Sequence, residues 1–305
     1  DPNGLIYFRG KYHFFFQHNP YSGFWDSMHW GHAVSDDMLH WEYLPLALVP
    51  SEKYDNHQKG GCFSGSAIEH DGKLFLMYTG VTNEGNGYEQ VQCIAYSEDG
   101  IHFEYKNSYQ EPTIGNMWEC PDVFKINDQF FMIFSPENTD QPPKPNSNAR
   151  YMPIDFDEDT LTIKDHGDWP YLDHGLDFYA PQTFLSKDNE RLLLGWLRMR
   201  KPVQREEWIG MFIMPRILHE KDGKIIQELY PEIKNSFNHE VQEISFDQPF
   251  QLKTTFNKDS SLNLGGFKID IQDDCLHLNR EEVSIQENKV CNDVVSPKLQ
   301  GHYDI

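Results

Sequence analysis

The sequence predicts an all-β fold in which a β-propeller is followed by a β-sandwich. Two observations indicate the propeller: a four-fold internal repeat of about 60 residues and a near absence of helical periodicity. A change of pattern from about residue 235 onward indicates the second domain. Four-stranded units that repeat along a chain are typical of propellers, because radial repetition leaves few exposed sheet edges. The alternative is a large β-sandwich whose hairpins recur by coincidence.

Each repeat contains a polar turn, then a Lys, Gln or Arg, then a run of apolar and aromatic residues. The four stretches are RGKYHFFF, DGKLFLMY, NDQFFMIF and NERLLLGW. The residues that follow the turns are Lys11, Lys73, Gln129 and Arg191, at intervals of 62, 56 and 62 residues. The pattern predicts a strand, a tight turn and a buried strand in every unit.

A second landmark follows three of the four turns. It reads SDDMLHW, SEDGIHF and DEDTLTI, and its apolar residues Leu39, Ile101 and Leu161 lie 62 and 60 residues apart. We expect a further pair of strands around each landmark, which brings every unit to four strands.

From about residue 235 the 60-residue rhythm stops. The stretches FQLKTTF and FKIDIQ alternate apolar and polar residues, as half-buried antiparallel strands do, with Phe267, Ile269 and Ile271 facing one way. We therefore predict a propeller domain over residues 1–234 and a truncated β-sandwich domain over residues 235–305.

The phase of the repeat places two carboxylates at equivalent positions. Ten residues before each residue that follows a turn stand Asp1, Phe63, Glu119 and Pro181. Equivalent positions in a propeller lie at equal depth, and this one falls on the first strand of each unit, nearest the axis. Asp1 and Glu119 would then face one another across a central funnel. The sequence around them is rich in aromatic and amide side chains, namely Gln17, Trp25, Trp30, Trp118 and Gln182.

Paired carboxylates in an aromatic-lined cavity are what glycoside hydrolysis requires. One acts as nucleophile or base, and the other donates a proton to the leaving oxygen. Glu119 lies between Trp118 and Cys120, and such apolar company should raise its pKa and keep it protonated. The alternative for either carboxylate alone is a solvated surface charge, and Asp1 also belongs to Asp-Pro-Asn-Gly, an ordinary turn sequence.

Six motifs taken together resemble glycoside hydrolase family 32, which contains invertases, sucrose-6-phosphate hydrolases, levanases and inulinases. They are DPNG, FFQHNP, MHWGHAVSDDMLHWEYLPLALVP, FSGSA, WECPD and DFYAPQTF, and the resemblance runs from residue 1 to about residue 230. The family has a five-bladed propeller followed by a β-sandwich, which agrees with the repeat. The resemblance implies a retaining β-fructofuranosidase without a cofactor, whose partner is a small carbohydrate: sucrose, sucrose 6-phosphate or a short fructan.

The resemblance also implies roles for individual residues. Asp1 matches the nucleophile, which attacks the anomeric carbon of a β-fructofuranosyl unit, and Glu119 matches the acid/base, which protonates the departing oxygen. Water that Glu119 deprotonates would then release fructose. The residues expected to bind substrate are Asn3, Gln17, Trp25, Phe63 and Ser64.

The sequence departs from the family pattern in one important respect. The Arg-Asp-Pro motif, whose Asp helps to hold the sugar hydroxyls in the transition state, is absent, and four repeats are found where the family has five. The join QEPTIGNMWECPD runs from the second unit directly into the unit of Glu119, so about one blade is expected to be missing near residues 110–116. An exo-levanase or inulinase remains an alternative, and so does a non-catalytic fructan-binding propeller if the deletion is real.

Composition excludes other classes of partner. The formal net charge of −22 repels nucleic acid and anionic membranes, whereas a neutral substrate is indifferent to it. The five cysteines form no CxxC pair, which favours free thiols in a reducing compartment, and we expect a cytoplasmic protein. His29 and His32 of HWGH lack further ligands at suitable spacing, so no metal site is expected.

Overall fold

The computed structural model describes most of the chain, and the structural statements below concern the part it describes. The described residues are 2–21, 26–36, 40–57, 59–82, 89–109, 117–137, 139, 148–165, 167, 169–186, 189–198, 211–237, 239–245, 249–254, 260–283 and 292–299. Within these ranges the chain folds into five antiparallel sheets and one short helix. The predicted all-β class is therefore confirmed.

Four sheets follow one another between residues 2 and 229, and consecutive strands are neighbours in each. Sheet 1 contains β1 (Pro2–Phe8), β2 (Lys11–His18), β3 (His29–Ser35) and β4 (Glu42–Leu48). Sheet 2 contains β5 (Gly61–His70), β6 (Lys73–Thr82), β7 (Glu89–Ser97) and β8 (Glu104–Tyr109). Sheet 3 contains β9 (Met117–Ile126), β10 (Gln129–Glu137), β11 (Arg150–Asp157) and β12 (Thr162–Asp165). Sheet 4 contains β13 (Phe178–Leu185), β14 (Arg191–Leu197), β15 (Met211–Phe212), β16 (Arg216–Lys221) and β17 (Lys224–Leu229).

The strands begin where the repeat predicts. Each of the four residues that follow a polar turn is the first residue of the second strand in its sheet. In the first two units the turn residues, Arg9–Gly10 and Asp71–Gly72, have positive φ at both positions, as tight two-residue hairpins require. The landmark residues Ile101 and Leu161 lie between the third and fourth strands, as expected, whereas Leu39 lies outside the described residues.

The first strands of the four sheets lie around a common centre. Contacts run from β1 to β5, from β5 to β9, from β9 to β13 and from β13 back to β1. Phe63, Glu119 and Pro181 are on β5, β9 and β13, so the prediction that the equivalent positions lie on these strands is confirmed for them. Asp1 lies outside the described residues.

Hydrophobic clusters fill three of the junctions between neighbouring sheets. Phe15 and Leu76 lie in the cluster between sheets 1 and 2, Met77 and Phe134 in that between sheets 2 and 3, and Phe131 in that between sheets 3 and 4. Burying each such side chain stabilises the fold by about 1.5–3 kcal/mol, so these clusters fix how the sheets pack around the centre.

The C-terminal part begins with helix α1 (Pro231–Ser236) and continues to a fifth sheet. This sheet contains β18 (Ser261–Leu264), β19 (Phe267–Gln272), β20 (Cys275–Asn279) and β21 (Asp293–Lys298). FKIDIQ is β19, as predicted. The prediction of a strand in FQLKTTF is wrong for its described residues, since 250–254 pair with no strand and 251–254 are exposed.

Two features bear on the cellular setting. Cys62, Cys93, Cys120 and Cys275 are free thiols, while Cys291 falls outside the described residues. In the described part of the chain, no helix has the length and apolar character needed to cross a membrane.

Candidate active site

Glu119 reaches sheet 4 because of an irregularity in its own strand. The pairing register between β9 and β10 shifts between Ile133 and Ser135, which marks a bulge on β9 just after Glu119. Trp118 and Val123 both pack toward sheet 2, although regular alternation would place them on opposite faces. The bulge therefore puts Glu119 on the same side of β9 as Asp122, facing β13.

Polar groups surround the carboxyl group of Glu119. The phenol of Tyr179, on β13, donates a hydrogen bond of 2.7 Å to Oε2 of Glu119. The side chain of Gln90, on β7, also hydrogen-bonds to this carboxyl. Arg198 pairs with Glu137 at 2.6 Å, and its guanidinium lies 4.5 Å from the centre of the Tyr179 ring. The acid thus lies among one phenol, one amide and one ion pair.

The pKa of Glu119 is raised above its ordinary value. Burial, which disfavours the charged form, is the main cause, and the negative charge of Glu137 adds to it. The hydrogen bond from Tyr179 and the charge of Arg198 act in the opposite direction. The direction agrees with the sequence prediction, but the predicted cause is incomplete. Trp118 stacks on Phe134 at 4.3 Å between ring centres, toward sheet 2 and away from the hydrogen-bonded carboxyl.

Sequence reasoning missed Tyr179, Glu137 and Arg198 as neighbours of the acid. Tyr179 is within the quoted motif DFYAPQTF, two residues before the equivalent position Pro181, so the repeat gave a signal for it. Glu137 and Arg198 stand at or just beyond the ends of β10 and β14, where no pattern marks them. Gln182, which we had expected near the carboxylates, donates instead to the backbone oxygen of Pro181 at 3.1 Å.

Buried hydrogen bonds hold the two strands that carry Glu119 and Tyr179. Asp122 accepts the amide of Thr183 at 2.7 Å, and Ser135 accepts the amide of Ala180 at 3.0 Å. Cys120 and Ala180, which follow Glu119 and Tyr179, have positive φ angles of 53° and 49°. Such backbone costs on the order of 1–3 kcal/mol for a residue other than glycine, so the surrounding bonds must maintain it. Both bulges are built features that direct the preceding side chains.

The predicted pocket residues lie where sheet 1 meets sheet 2. Gln17, at the end of β2, donates to the backbone oxygen of Cys62 at 3.0 Å, and Trp30 donates to that of Phe63 at 2.9 Å. These two bonds hold the bulge of β5 on which Phe63 and the buried Ser64 lie.

Asn3 is fully buried, and neither of its side-chain polar atoms has a hydrogen-bond partner among the described residues. Buried amides are normally satisfied, so this arrangement indicates a group whose partner is a ligand or water. Asp1 and Trp25, the other two predicted site residues near the start of the chain, lie outside the described residues. The separation between the carboxyl groups of Asp1 and Glu119 therefore remains a prediction.

Removing the phenol of Tyr179 should raise the pKa of Glu119 further. The variant Tyr179→Phe loses a hydrogen bond that stabilises the carboxylate, and such a bond to a charged group corresponds to a pKa change of about one to two units. Because catalysis needs Glu119 protonated, the basic limb of the pH profile of kcat/KM should move to higher pH. Tyr7→Phe, on the exposed end of β1, is the matched control. An unchanged limb, or a move to lower pH, would contradict the assigned hydrogen bond.

An all-β fold built from repeated four-stranded sheets, with a buried protonatable carboxyl near its centre, defines a propeller of the glycosidase type. The comparison with known families agrees. Residues 1–114 and 102–229 match the N-terminal domain of glycosyl hydrolases family 32, and the chain belongs to this family.

Known relatives and solved structures extend the comparison. The chain is 36% identical to a sucrose-6-phosphate hydrolase of Escherichia coli over 80% of this chain and 64% of that protein. A family 32 β-fructofuranosidase variant of Bombyx mori, solved with sucrose, is 27% identical, with a TM-score of 0.52 over 79% of this chain and 64% of the other. A sucrose-6-phosphate hydrolase of Lactobacillus gasseri shares the fold, with 22% identity and a TM-score of 0.63 over 98% and 79% of the chains.

The chain spans about two thirds of the length of the curated relatives it matches, and the alignment has an internal gap. The 80% of the chain that aligns with the Escherichia coli protein, about 244 of 305 residues, is spread over 312 aligned residues. About 68 aligned positions, the difference between 312 and 244, therefore have no counterpart here. The two stretches that match the family domain also overlap, at residues 102–114.

Proposed function

We propose that the protein is a retaining β-fructofuranosidase that hydrolyses sucrose or sucrose 6-phosphate. The observation that supports this most strongly is Glu119, a family 32 residue whose carboxyl is kept protonated by burial and is contacted by a phenol at 2.7 Å. A group that must give up a proton and recover it at neutral pH needs such a raised pKa.

In the proposed mechanism Glu119 first protonates the oxygen that leaves the fructosyl unit, while Asp1 attacks the anomeric carbon. The bond to the leaving sugar breaks, and a covalent fructosyl–Asp1 ester forms. Glu119, now a carboxylate, is stabilised by the hydrogen bond from Tyr179. It then takes a proton from water, whose oxygen attacks the ester and releases fructose. Protons and charges balance over the two steps.

Binding of the fructosyl unit is assigned to the neighbouring side chains. The unpartnered amide of Asn3 can donate to one hydroxyl and accept from another. Gln17, Phe63 and Ser64 lie together at the junction of sheets 1 and 2, and the ring of Phe63 supplies an apolar face for the sugar. Trp25 is proposed for the same pocket from the sequence alone.

The charge near Glu119 bears on the choice between the two substrates. A phosphorylated substrate needs a net positive group on the leaving-group side, and Arg198 is the cation found beside Tyr179 in the described part of the chain. Glu137 balances its charge at 2.6 Å, so this pair favours neutral sucrose. Turnover of sucrose, sucrose 6-phosphate and levan, measured side by side, tests the assignment. Faster release of fructose from levan than from sucrose would replace it with an exo-fructanase, and no turnover of any of the three would favour a binding protein.

Replacing Glu137 should lower the pKa of Glu119, in contrast to the effect of Tyr179→Phe. The variant Glu137→Gln removes a negative charge that raises this pKa and leaves the charge of Arg198 unopposed, and both changes favour the carboxylate. The basic limb of the kcat/KM profile should move to lower pH by about one unit. The same profile measured for Glu220→Gln, on β16, serves as control, and a shift of Glu137→Gln to higher pH would disprove the assigned electrostatics.

We also infer that the chain lacks one repeat between sheets 2 and 3. About 68 unmatched positions correspond to one repeat of about 60 residues, and the overlap at residues 102–114 adjoins the predicted join. The aromatic side chains of sheet 1 that point away from sheet 2 include Tyr43, which is 78% exposed. The mass of the intact natural protein tests this inference, since a fifth repeat adds about 60 residues. In this account the domain boundary stays near residue 234.

The proposed location is the cytoplasm. The four described cysteines are free thiols, and reduced thiols persist in that compartment. Fractionation of cells that express the natural gene tests this, and recovery outside the cell would contradict it.

A further inference from the structure

We propose that Arg280, in the C-terminal part of the chain, is a positioning residue for the acid/base Glu119 and acts through Asp177 and Tyr179. The proposal rests on the function proposed above. Arg280 directly follows β20, and Asp177 directly precedes β13. Their ion pair therefore joins the fifth sheet to the strand that carries Tyr179.

The contact between Arg280 and Asp177 is bidentate. One terminal nitrogen of Arg280 donates to Oδ2 of Asp177, and the other donates to Oδ1 at 2.9 Å. The two side chains are only 10% and 20% exposed. A forked pair of this kind fixes orientation as well as distance, and its burial limits screening by salt. The pair is thus a rigid link between the two parts of the chain.

Arg280 is anchored on its own side. Its backbone amide donates to the backbone oxygen of Asn292 at 2.9 Å, and its Nε lies 3.3 Å from Oδ1 of the same residue. The backbone oxygen of Arg280 accepts the amide of Val283 at 3.0 Å. Since the guanidinium cannot swing freely, it transmits the position of the C-terminal sheet to Asp177.

Asp177 is connected to both side chains that surround the acid. Its backbone oxygen accepts the amide of Arg198 at 2.8 Å, just beyond the point where β13 and β14 start to pair. Tyr179 is two residues further along and donates to Glu119 at 2.7 Å. Arg198 itself lies over the Tyr179 ring and pairs with Glu137. The corner that Arg280 holds is therefore the base of the whole acid/base environment.

Loss of the clamp should loosen the hydrogen bond from Tyr179. In the variant Arg280→Ala the carboxylate of Asp177 is left shielded and unpaired, so the corner must relax toward water. Because the Tyr179 bond lowers the pKa of Glu119, its weakening should raise that pKa, in the same direction as Tyr179→Phe and by less than the one to two units expected there. A role in stability alone would lower the melting temperature and leave this pKa unchanged.

The test is an NMR titration of the Glu119 carboxyl carbon in the full chain, which needs no activity. The proteins compared are the unmodified chain, Arg280→Ala, Tyr179→Phe and the double variant. Lys268→Ala, which breaks an exposed pair within the fifth sheet, is the control. We expect an upward shift in Arg280→Ala that vanishes in the Tyr179→Phe background, and no shift in Lys268→Ala.

An equal shift in the Tyr179→Phe background, or a fall in melting temperature without a shift, would overturn the proposal. If Arg280→Ala does not fold, Arg280→Lys keeps the charge but loses the forked contact, and it should shift the titration in the same direction. Measurement of sucrose hydrolysis on the same samples separates the two claims. A shifted titration in a chain that hydrolyses no fructoside would refute the proposed function and leave the clamp in place.

Discussion

Replacing Glu119 by Gln is expected to reduce kcat for sucrose by about 10²–10⁴-fold, the usual contribution of a positioned general acid. Gln fills the same volume and can still contact Tyr179, but it has no proton to give to the leaving oxygen. The loss should be much smaller for an aryl β-fructofuranoside with an acidic phenol, whose departure needs little protonation. The measurement is kcat on both substrates, with the melting temperature recorded for each protein.

Glu42→Gln provides the matched control for this change. Glu42 is an exposed residue on β4, so its replacement should leave both rates and the melting temperature unchanged. If Glu119→Gln retained near-normal turnover of sucrose, or lost equal factors on both substrates, Glu119 would not be the acid.

Replacing Asp1 by Ala is expected to abolish turnover, with a loss on the order of 10⁴–10⁶-fold, as for nucleophiles in other covalent mechanisms. Without this carboxylate no covalent fructosyl intermediate can form. The melting temperature should remain unchanged, since a residue at the start of the described chain contributes little to the core. Steady-state hydrolysis of sucrose measures the loss.

Asp128→Ala is the companion variant, because Asp128 is an exposed turn residue between β9 and β10. It should hydrolyse sucrose at the rate of the unmodified protein. Sucrose hydrolysis by Asp1→Ala at a comparable rate would remove Asp1 from the mechanism.

The repeat was readable from the sequence because hairpins impose local rules. Tight turns such as Asp71–Gly72 need residues that tolerate positive φ, and the strands that follow alternate or run apolar. These signals predicted the start of the second strand in all four sheets of the N-terminal part. In the C-terminal part the same alternation failed for FQLKTTF, since a strand also needs a partner strand, which local pattern does not supply.

The site was predictable only in part, for a physical reason. Glu119 could be placed by the phase of the repeat, because depth in a propeller follows position along the first strand. The network of Tyr179, Glu137 and Arg198 depends on bulges and on long-range pairing between sheets 3 and 4, which no local pattern specifies. The prediction of a raised pKa was therefore right in direction, although its source is burial and Glu137 as well as apolar neighbours.

The configuration of the first fructose released from sucrose tests the central claim most directly. NMR during the first turnovers, before mutarotation, distinguishes the two anomers. The proposed double displacement by Asp1 and Glu119 predicts β-fructofuranose, with retention of configuration. Release of the α-anomer first would show single displacement by water and would contradict the assignment of Asp1 as nucleophile.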